Sequence, residues 1–360
     1  MKAGWEVRPL GEVCEVLDRL RKPITKKNRS AGPYPYYGAT GILDHVDGYL
    51  FDEPLVLLGE DGAKWEAGAN SAFPIEGKVW VNNHAHVLRP IREEILDDWL
   101  IYFLNGSDLL PFISGMTVPK LNQGRMREIP VPLPPLEEQQ RIVAVLDEAF
   151  DGLARARAHA EANLQNAREL FSNVLDEALQ SVRPDWRTLI VADTLTRIKV
   201  PAKIQRKAYL SEGDFPIVSQ EAGLINGYWN DESDVIYLKK PVIVFGDHTR
   251  TLKYVDFDFV VGADGTQIMA PIECLDPYFY YYALKTIDLE GKGYARHFSH
   301  LKKCEIHFPE SVEAQQSIAT QLNDLSESTR DLERQYARTL TDIDDLRQSL
   351  LQKAFAGELT

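Results

Sequence analysis

The chain has 360 residues, 44% of them hydrophobic and 10% aromatic, which is too rich in core-forming side chains for a disordered polypeptide and long enough for two ordinary domains. Its start, MKAGWEVRPL, lacks an apolar signal core, and no stretch approaches the roughly 18 consecutive apolar residues of a membrane span, so a soluble, cytoplasmic protein is expected. The net charge of -14 excludes a polyanionic partner unless bases are gathered locally, and they are: Arg19 to Arg29 holds six bases and no acid in eleven residues.

In chain order, Trp5 to Leu17 leads into this basic loop, where Arg19, Arg21, Lys22, Lys26, Lys27 and Arg29 surround Pro23, which holds the backbone extended. From there to about residue 130, short β-branched and aromatic runs broken by Gly, Pro and Asn predict a mixed, β-rich domain. Asp98-Trp99-Leu100 begins an apolar helix within it. After Pro134-Pro135 the composition turns to Ala, Leu, Glu, Gln and Arg until Arg183-Pro184, which predicts one long helix. Its apolar stripe is slim: Ile142, Leu146, Ala149, Leu153, Ala156, Ala160, Leu164, Phe171 and Val174. A second β-rich region follows, then a second long helix from about Val312 to Ala356. Its seam is Ile318, Leu322, Leu325, Leu332, Tyr336, Leu340, Ile343, Leu346 and Leu350. At 1.5 Å per residue, helices of about 40 residues are roughly 60 Å long, too long to lie buried under one small domain. They are expected to pair with each other as an antiparallel coiled coil and to act as spacers. Four segments result: 1–135, 136–182, 183–310 and 311–360.

The second half repeats the first at an offset near 178 residues. LDRLRKPITKKNR at Leu17 to Arg29 aligns without gaps to LTRIKVPAKIQRK at Leu195 to Lys207, so that Arg19 meets Arg197, Arg21 meets Lys199 and Pro23 meets Pro201. YPYYGATGILDHVDGY around Tyr37 resembles FPIVSQEAGLINGY around Val218, and DWLIYFL at Asp98 pairs with PYFYYYAL at Pro277. IPVPLPPLEEQQRI at Ile129 pairs with IHFPESVEAQQSI at Ile306. The expected fold is therefore α+β, an internal duplication with pseudo-two-fold symmetry: two similar β-rich domains separated by two long helices.

Recurrence of the basic loop at the same place in both halves points to phosphate contacts, with Arg197, Lys199, Lys203, Arg206 and Lys207 as the second set. Reading base edges needs bidentate groups in loops, for which Asn82, Asn83, Asn122, Gln123, Arg125, Gln220, Arg250, Gln267 and Arg296 are candidates. Tyr34, Tyr36 and Tyr37 offer aromatic faces, although tyrosines in β-rich domains are more often core.

The junction GMTVPKLNQGRMREIPVPLPPLEEQQRIVAVLD at Gly115 to Asp147, its looser copy at Gly291 to Asp324, WEVRPLGEVCEVL at Trp5 and FGDHTR at Phe245 together resemble the specificity subunits of type I restriction-modification systems. The resemblance spans the whole chain. It implies a non-catalytic subunit whose two target-recognition domains each read one half of a bipartite DNA target. It further implies that two adenine-N6 methyltransferase subunits dock on the helices and that motor-nuclease subunits join them. S-adenosylmethionine, ATP and Mg would belong to those partners.

Enzyme readings of the chain itself are weaker. Asp276-Pro277-Tyr278-Phe279 approaches an adenine methyltransferase motif but lacks its second Pro and reads better as a helix start. No G-x-x-x-x-G-K-[ST] phosphate loop occurs, and Glu76-Gly77-Lys78 has no repeat partner. His297, His300 and Cys304 have metal-ligand spacing but no fourth ligand, and the matching loop Thr117 to Arg125 has no His or Cys, so no metal site is expected. A scaffold without a DNA role is disfavoured by the duplicated basic loops.

Overall fold

A computed structural model of the chain describes residues 4–115, 117–179, 183–289 and 296–359. The start of the second junction copy, Gly291 to Ala295, and the last three positions of the expected first helix, 180–182, lie outside the described residues. Two compact units emerge: residues 1–162 with 337–360, and residues 163–336.

In the first unit, β1 (Glu6–Pro9), helix α1 (Leu10–Val13) and β2 (Cys14–Val16) precede the basic loop. Next come β3 (Ala31–Gly38), β4 (Gly41–Val46), β5 (Phe51–Asp52), β6 (Leu55–Gly59), β7 (Ala72–Ile75), β8 (Lys78–Val81) and β9 (Ala85–Pro90). Helices α2 (Asp97–Gly106) and α3 (Gln123–Arg127) and strand β10 (Pro130–Leu133) lead into α4 (Leu136–Leu179). One sheet has the order β2-β9-β6-β7 and a second the order β4-β3-β8-β5. Their inner faces bury Leu57, Val81 and Val87 at 0% exposure, as alternation of apolar side chains across a pleat requires. β1 pairs antiparallel with β10, tying the start of the repeat to the strand that feeds the long helix.

The second unit repeats this plan with β11 (Trp186–Ile190), β12 (Leu195–Thr196), β13 (Lys203–Ile204), β14 (Phe215–Val218), β15 (Gly227–Trp229) and β16 (Val235–Ile236). It continues with β17 (Val242–Gly246), β18 (Leu252–Val255), β19 (Phe259–Gly262), β20 (Thr266–Pro271), helices α5 (Pro277–Lys285) and α6 (Phe298–Leu301), β21 (Glu305–Pro309) and α7 (Val312–Ala356). The sheet β12-β20-β17-β18 matches β2-β9-β6-β7 strand for strand, and β11 pairs with β21 as β1 does with β10. The fold is α+β and internally duplicated.

A helix pair underlies each unit. In the first, α4 and the C-terminal part of α7 run antiparallel: Arg347 lies over the Phe150 ring at 4.9 Å, and Arg157 pairs with Asp344. Phe355 packs edge-on against Trp99 at 4.9 Å, so α2 is clamped between sheet and helices. In the second, Arg168 pairs with Glu333 at 3.4 Å while Phe171 packs on Tyr282 of α5. The seam of α7 differs from the expected leucine stripe. Leu332 and Leu346 are 37% and 49% exposed, whereas Ser326 and Thr329 are buried. The Thr329 hydroxyl donates to the Leu325 carbonyl at 3.0 Å, which makes its burial cheap, and a straight helix of period 3.6 carries a strict heptad stripe off the seam.

Candidate nucleic-acid interface

Corresponding turns gather at one end of each β-rich domain. In the first, the residues after β6, the β8–β9 turn, the β3–β4 tip and the segment before α3 are laced together. Leu121 N donates to Glu60 O (2.8 Å), Glu60 N to His84 O (2.8 Å), His84 N to Asn82 Oδ1 (2.7 Å) and Asn82 N to Tyr37 O (3.0 Å). The basic loop joins them: Lys22 N donates to Val81 O (3.2 Å) and Trp80 Nε1 to Lys22 O (2.6 Å). The second domain repeats the arrangement with the turns after β17 and β19, the β14–β15 loop and the segment before α6. Asp247 N donates to Gly265 O (2.7 Å), His297 N to Asp247 O (2.9 Å) and His248 N to Gln220 Oε1 (3.2 Å). The second basic loop abuts this end too, where Ala263 N meets Ile204 O (2.7 Å) and Lys203 Nζ donates to Thr266 O (2.6 Å).

The candidates separate into free and engaged groups. Asn83, Arg296, Arg19, Lys22, Lys26, Lys27 and Lys207 are exposed. Arg125 is exposed beside Glu128 at 3.3 Å, and Asn122 stands just before α3 with its side-chain amide donating to Ser114 Oγ (2.6 Å). Gln220 and Gln267 are half-buried at the loop end, since Gln267 pairs with Phe245 in the β17–β20 ladder. Arg250 stands in the turn after β17 with φ +60°, and its guanidinium donates to Leu289 O (2.7 Å). An arginine held in that region without glycine's freedom is a strained, aimed side chain.

Several expectations need correcting. Asn82 is buried, its carbonyl oxygen spent on the His84 turn, so it shapes the loop and presents no free edge. Arg21 is not free for a phosphate: it lies 2.5 Å from Glu60 and 3.3 Å from Asp18, and donates to Ala85 O (2.7 Å). Arg29 is braced by Asp44 (3.1 Å) and lies over the Tyr36 ring at 4.3 Å. Tyr36 is itself core, as its aromatic bulk in a β-rich domain favours. Arg197 and Lys199 line a separate hollow with Tyr237, Lys239 and Lys240 beside β16, away from the β19–β20 turn.

Around Arg21 lies a buried polar network that sequence reasoning missed. His86 Nε2 donates to Leu121 O (2.7 Å), its Nδ1 lies 2.6 Å from Asp18, Gln123 Nε2 donates to Asp18 (2.8 Å), and Lys120 sits 2.9 Å from Glu60. Burial pushes the Asp18 and Glu60 carboxyls up, but the donors from His86 and Gln123 on one, and Lys120 and Arg21 on the other, outweigh it and hold both below their ordinary values. Asp18, Glu60 and His86 converge as metal ligands would, yet Arg21 and Lys120 already neutralise the carboxylates, which is the signature of an ion-pair network. Of its members, sequence reasoning singles out only Arg21, in the basic loop, and Gln123, inside the junction VPKLNQGR, and does not join them. Asp276 caps α5, its Oδ1 accepting from Tyr278 N and Phe279 N at 2.9 Å, so the carboxylate is occupied as a helix start requires. His297 is buried just before α6, His300 is exposed on it, and Cys304, beyond its end, donates from Sγ to His300 O (3.4 Å).

The model of the type I restriction modification DNA specificity domain matches residues 2–160 and again 192–341. The chain belongs to this specificity family. It carries two copies of the domain and is a DNA-specificity subunit of the type I restriction-modification kind. It is 37% identical over 142 residues to a putative type I restriction enzyme specificity subunit of Haemophilus influenzae, a match covering 39% of this chain and 36% of the relative's length. The EcoDI specificity subunit of Escherichia coli is 22% identical, with 100% of this chain and 90% of the relative covered. Among solved structures, the HsdS subunit of Thermoanaerobacter tengcongensis superposes with a TM-score of 0.61 at 19% identity, covering 100% of this chain and 98% of the other. A chain from a study of type I R-M complex assembly and conformational transition reaches 0.76 at 19% identity, covering 100% and 99%.

Proposed function

We propose that each β-rich domain reads one half of a bipartite double-stranded DNA target through its loop end, with the exposed bases of the adjoining basic loop on flanking phosphates. The observation that carries this is the gathering of polar loop candidates at the same end of both repeats, beside the same basic loop. Phosphate contacts position while base contacts specify, so the readers are Asn83 and Arg125 in the first domain and Arg250 and Arg296 in the second. The long helices set the spacing and dock two adenine-N6 methyltransferase subunits. Exposed Val145 with Leu346 in one unit and Leu170 with Leu332 in the other supply apolar anchors flanked by charge. Motor-nuclease subunits complete the complex, and S-adenosylmethionine, ATP and Mg bind to these partners in the cytoplasm. Among the described residues no helix is long and apolar enough to cross a membrane.

The test is to map methylated adenines on genomic DNA treated with the assembled methyltransferase complex. Asn83→Ala with Arg125→Ala should relax one half-site only, and Arg250→Ala with Arg296→Ala the other, each by roughly 10-fold in discrimination at a base pair. Variants that leave both half-sites as in the wild type would remove the loop ends from the reading surface.

A further inference from the structure

Hairpin tips favour Gly, Asn and Asp, whose backbone and side chains suit tight turns, and have no use for aliphatic pairs. Yet both repeats carry one. Ile42 and Leu43 follow Gly41 at the β3–β4 tip, 52% and 53% exposed, and Leu224 and Ile225 follow Gly223 in the β14–β15 loop, 47% and 42% exposed. The two halves have diverged enough to invert the order of the residues, and both keep the pair in solvent. Single exposed aliphatics need no explanation, but a duplicated pair at equivalent tips does.

Each tip is held in place. In the first domain the ladder runs to the turn itself, Gly38 opposite Gly41, and Leu43 lies so close over Gly38 that a Cβ there would come within 2.5 Å of its Cδ1 and 3.4 Å of Asn82 Nδ2. In the second, Asn226 Oδ1 accepts from Ser219 N (2.9 Å) and from Lys253 Nζ (2.9 Å), and Lys253 also donates to Gly223 O. Lys253 is buried to do so. In both domains an arginine of the basic loop pairs with an acid on the element that carries the aliphatic pair: Arg29 with Asp44 at 3.1 Å, and Arg206 with Glu221 at 3.1 Å. The basic loop and the element that carries the aliphatic pair are therefore neighbours in both domains.

Resting on the DNA reading above, we propose that Ile42-Leu43 and Leu224-Ile225 are the apolar part of the reading surface, entering the groove beside the polar readers and packing on the C5-methyl groups of thymines. Aliphatic side chains recognise that methyl, and only T·A pairs display it in the major groove. Each half-site of an adenine-methylated target contains a thymine, so the contact has a partner in both halves.

The test uses duplexes carrying the mapped target with single deoxyuridines in place of thymines, a change that deletes only the methyl group. The complex with its methyltransferase subunits should bind about 4-fold more weakly at one such position in each half-site, the equivalent of about 0.8 kcal/mol for a buried methyl. Ile42→Ser with Leu43→Ser should abolish that sensitivity in the half-site of the first domain alone, and Leu224→Ser with Ile225→Ser in the other. The conservative Ile42→Val with Leu43→Ile should retain it, which separates a contact from a folding defect. Equal deoxyuridine sensitivity in wild type and serine variants would overturn the proposal, as would loss of the methyltransferase subunit from the serine variants, which would make the tips a protein contact. If Asn83 and Arg250 variants also leave the target unchanged, the loop reading itself fails; if they alter it, only the tips do.

Discussion

At the residue scale, burial decides which charges are available to a partner. Arg21 and Lys22 are adjacent in a loop that composition marks uniformly as basic, yet Arg21 is spent on Asp18 and Glu60 while Lys22 stays in water. The energetic reason is that a buried carboxylate without a counter-charge is far costlier than an exposed one, so Glu60 captures both Arg21 and Lys120. In the second domain the corresponding acid, Asp247, instead caps the start of α6 through Phe298 N (2.8 Å). The network of the first domain has a pH consequence. Asp18 faces His86, Arg21 and Gln123, with Glu60 beyond, and its folded value lies below the unfolded one. Its stabilisation is therefore complete above the unfolded carboxylate range, near pH 4, and is lost as pH falls through the depressed folded value. Asp18→Asn should cost roughly 3 kcal/mol at pH 7 in urea unfolding and flatten the acid limb of the stability curve. An acid limb as steep as that of the wild type would show that other carboxylates carry it.

At the scale of elements, the joint between each domain and its long helix is a buried glutamine. Gln139 of α4, fully buried, donates to Glu94 O and Pro134 O (2.9 Å each) and accepts from Leu96 N (2.9 Å), the residue capping α2. Gln315 of α7 does the same with Cys274 O (2.9 Å), Pro309 O (2.8 Å) and Asp276 N (2.8 Å), the cap of α5. Both belong to Gln-Gln pairs, and the second glutamine of each, Gln140 and Gln316, is exposed. One amide side chain thus satisfies three backbone groups that helix and strand ends leave open. Replacing Gln139 or Gln315 with Leu should destabilise its unit by about 3 kcal/mol, since buried polar groups lose their partners, whereas Gln140→Leu should stay within about 0.5 kcal/mol. Chemical denaturation of Gln139→Leu beside Gln140→Leu decides this, and equal midpoints would dismiss the latch.

At the scale of the whole molecule, each long helix contributes to both compact units: residues 136–162 of α4 lie in the first and 163–179 in the second, and α7 divides at 336. If the helices set the half-site spacing, four residues inserted after Ala162 and after Tyr336, close to one turn and about 6 Å, should lengthen the non-specific spacer by one or two base pairs. The half-sites should stay as they are. Methylation mapping reads the outcome directly, and an active complex with an unchanged spacer would refute the ruler.

What the sequence determined by itself was whatever depends on near neighbours: the duplication, the β-rich character of each half, and the long helices, bracketed by Pro134-Pro135, Arg183-Pro184 and Pro309. Proline placement, composition and period act over a few residues, and those are read along the chain. The junction motif carried the resemblance to the family, and it holds the latch glutamine and the strand that closes each repeat. Tertiary structure alone decided which basic residues remained free, because the partners of Arg21 lie 39 residues away at Glu60 and within the Ala85 turn. It also decided that Asn82 shapes a loop, that Ser326 and Thr329 sit inside the α7 seam while Leu332 and Leu346 face out, and that Leu43 lies over Gly38 beside Asn82. Burial is a property of the assembled surface, and a side chain's environment is set by residues that only folding brings to it.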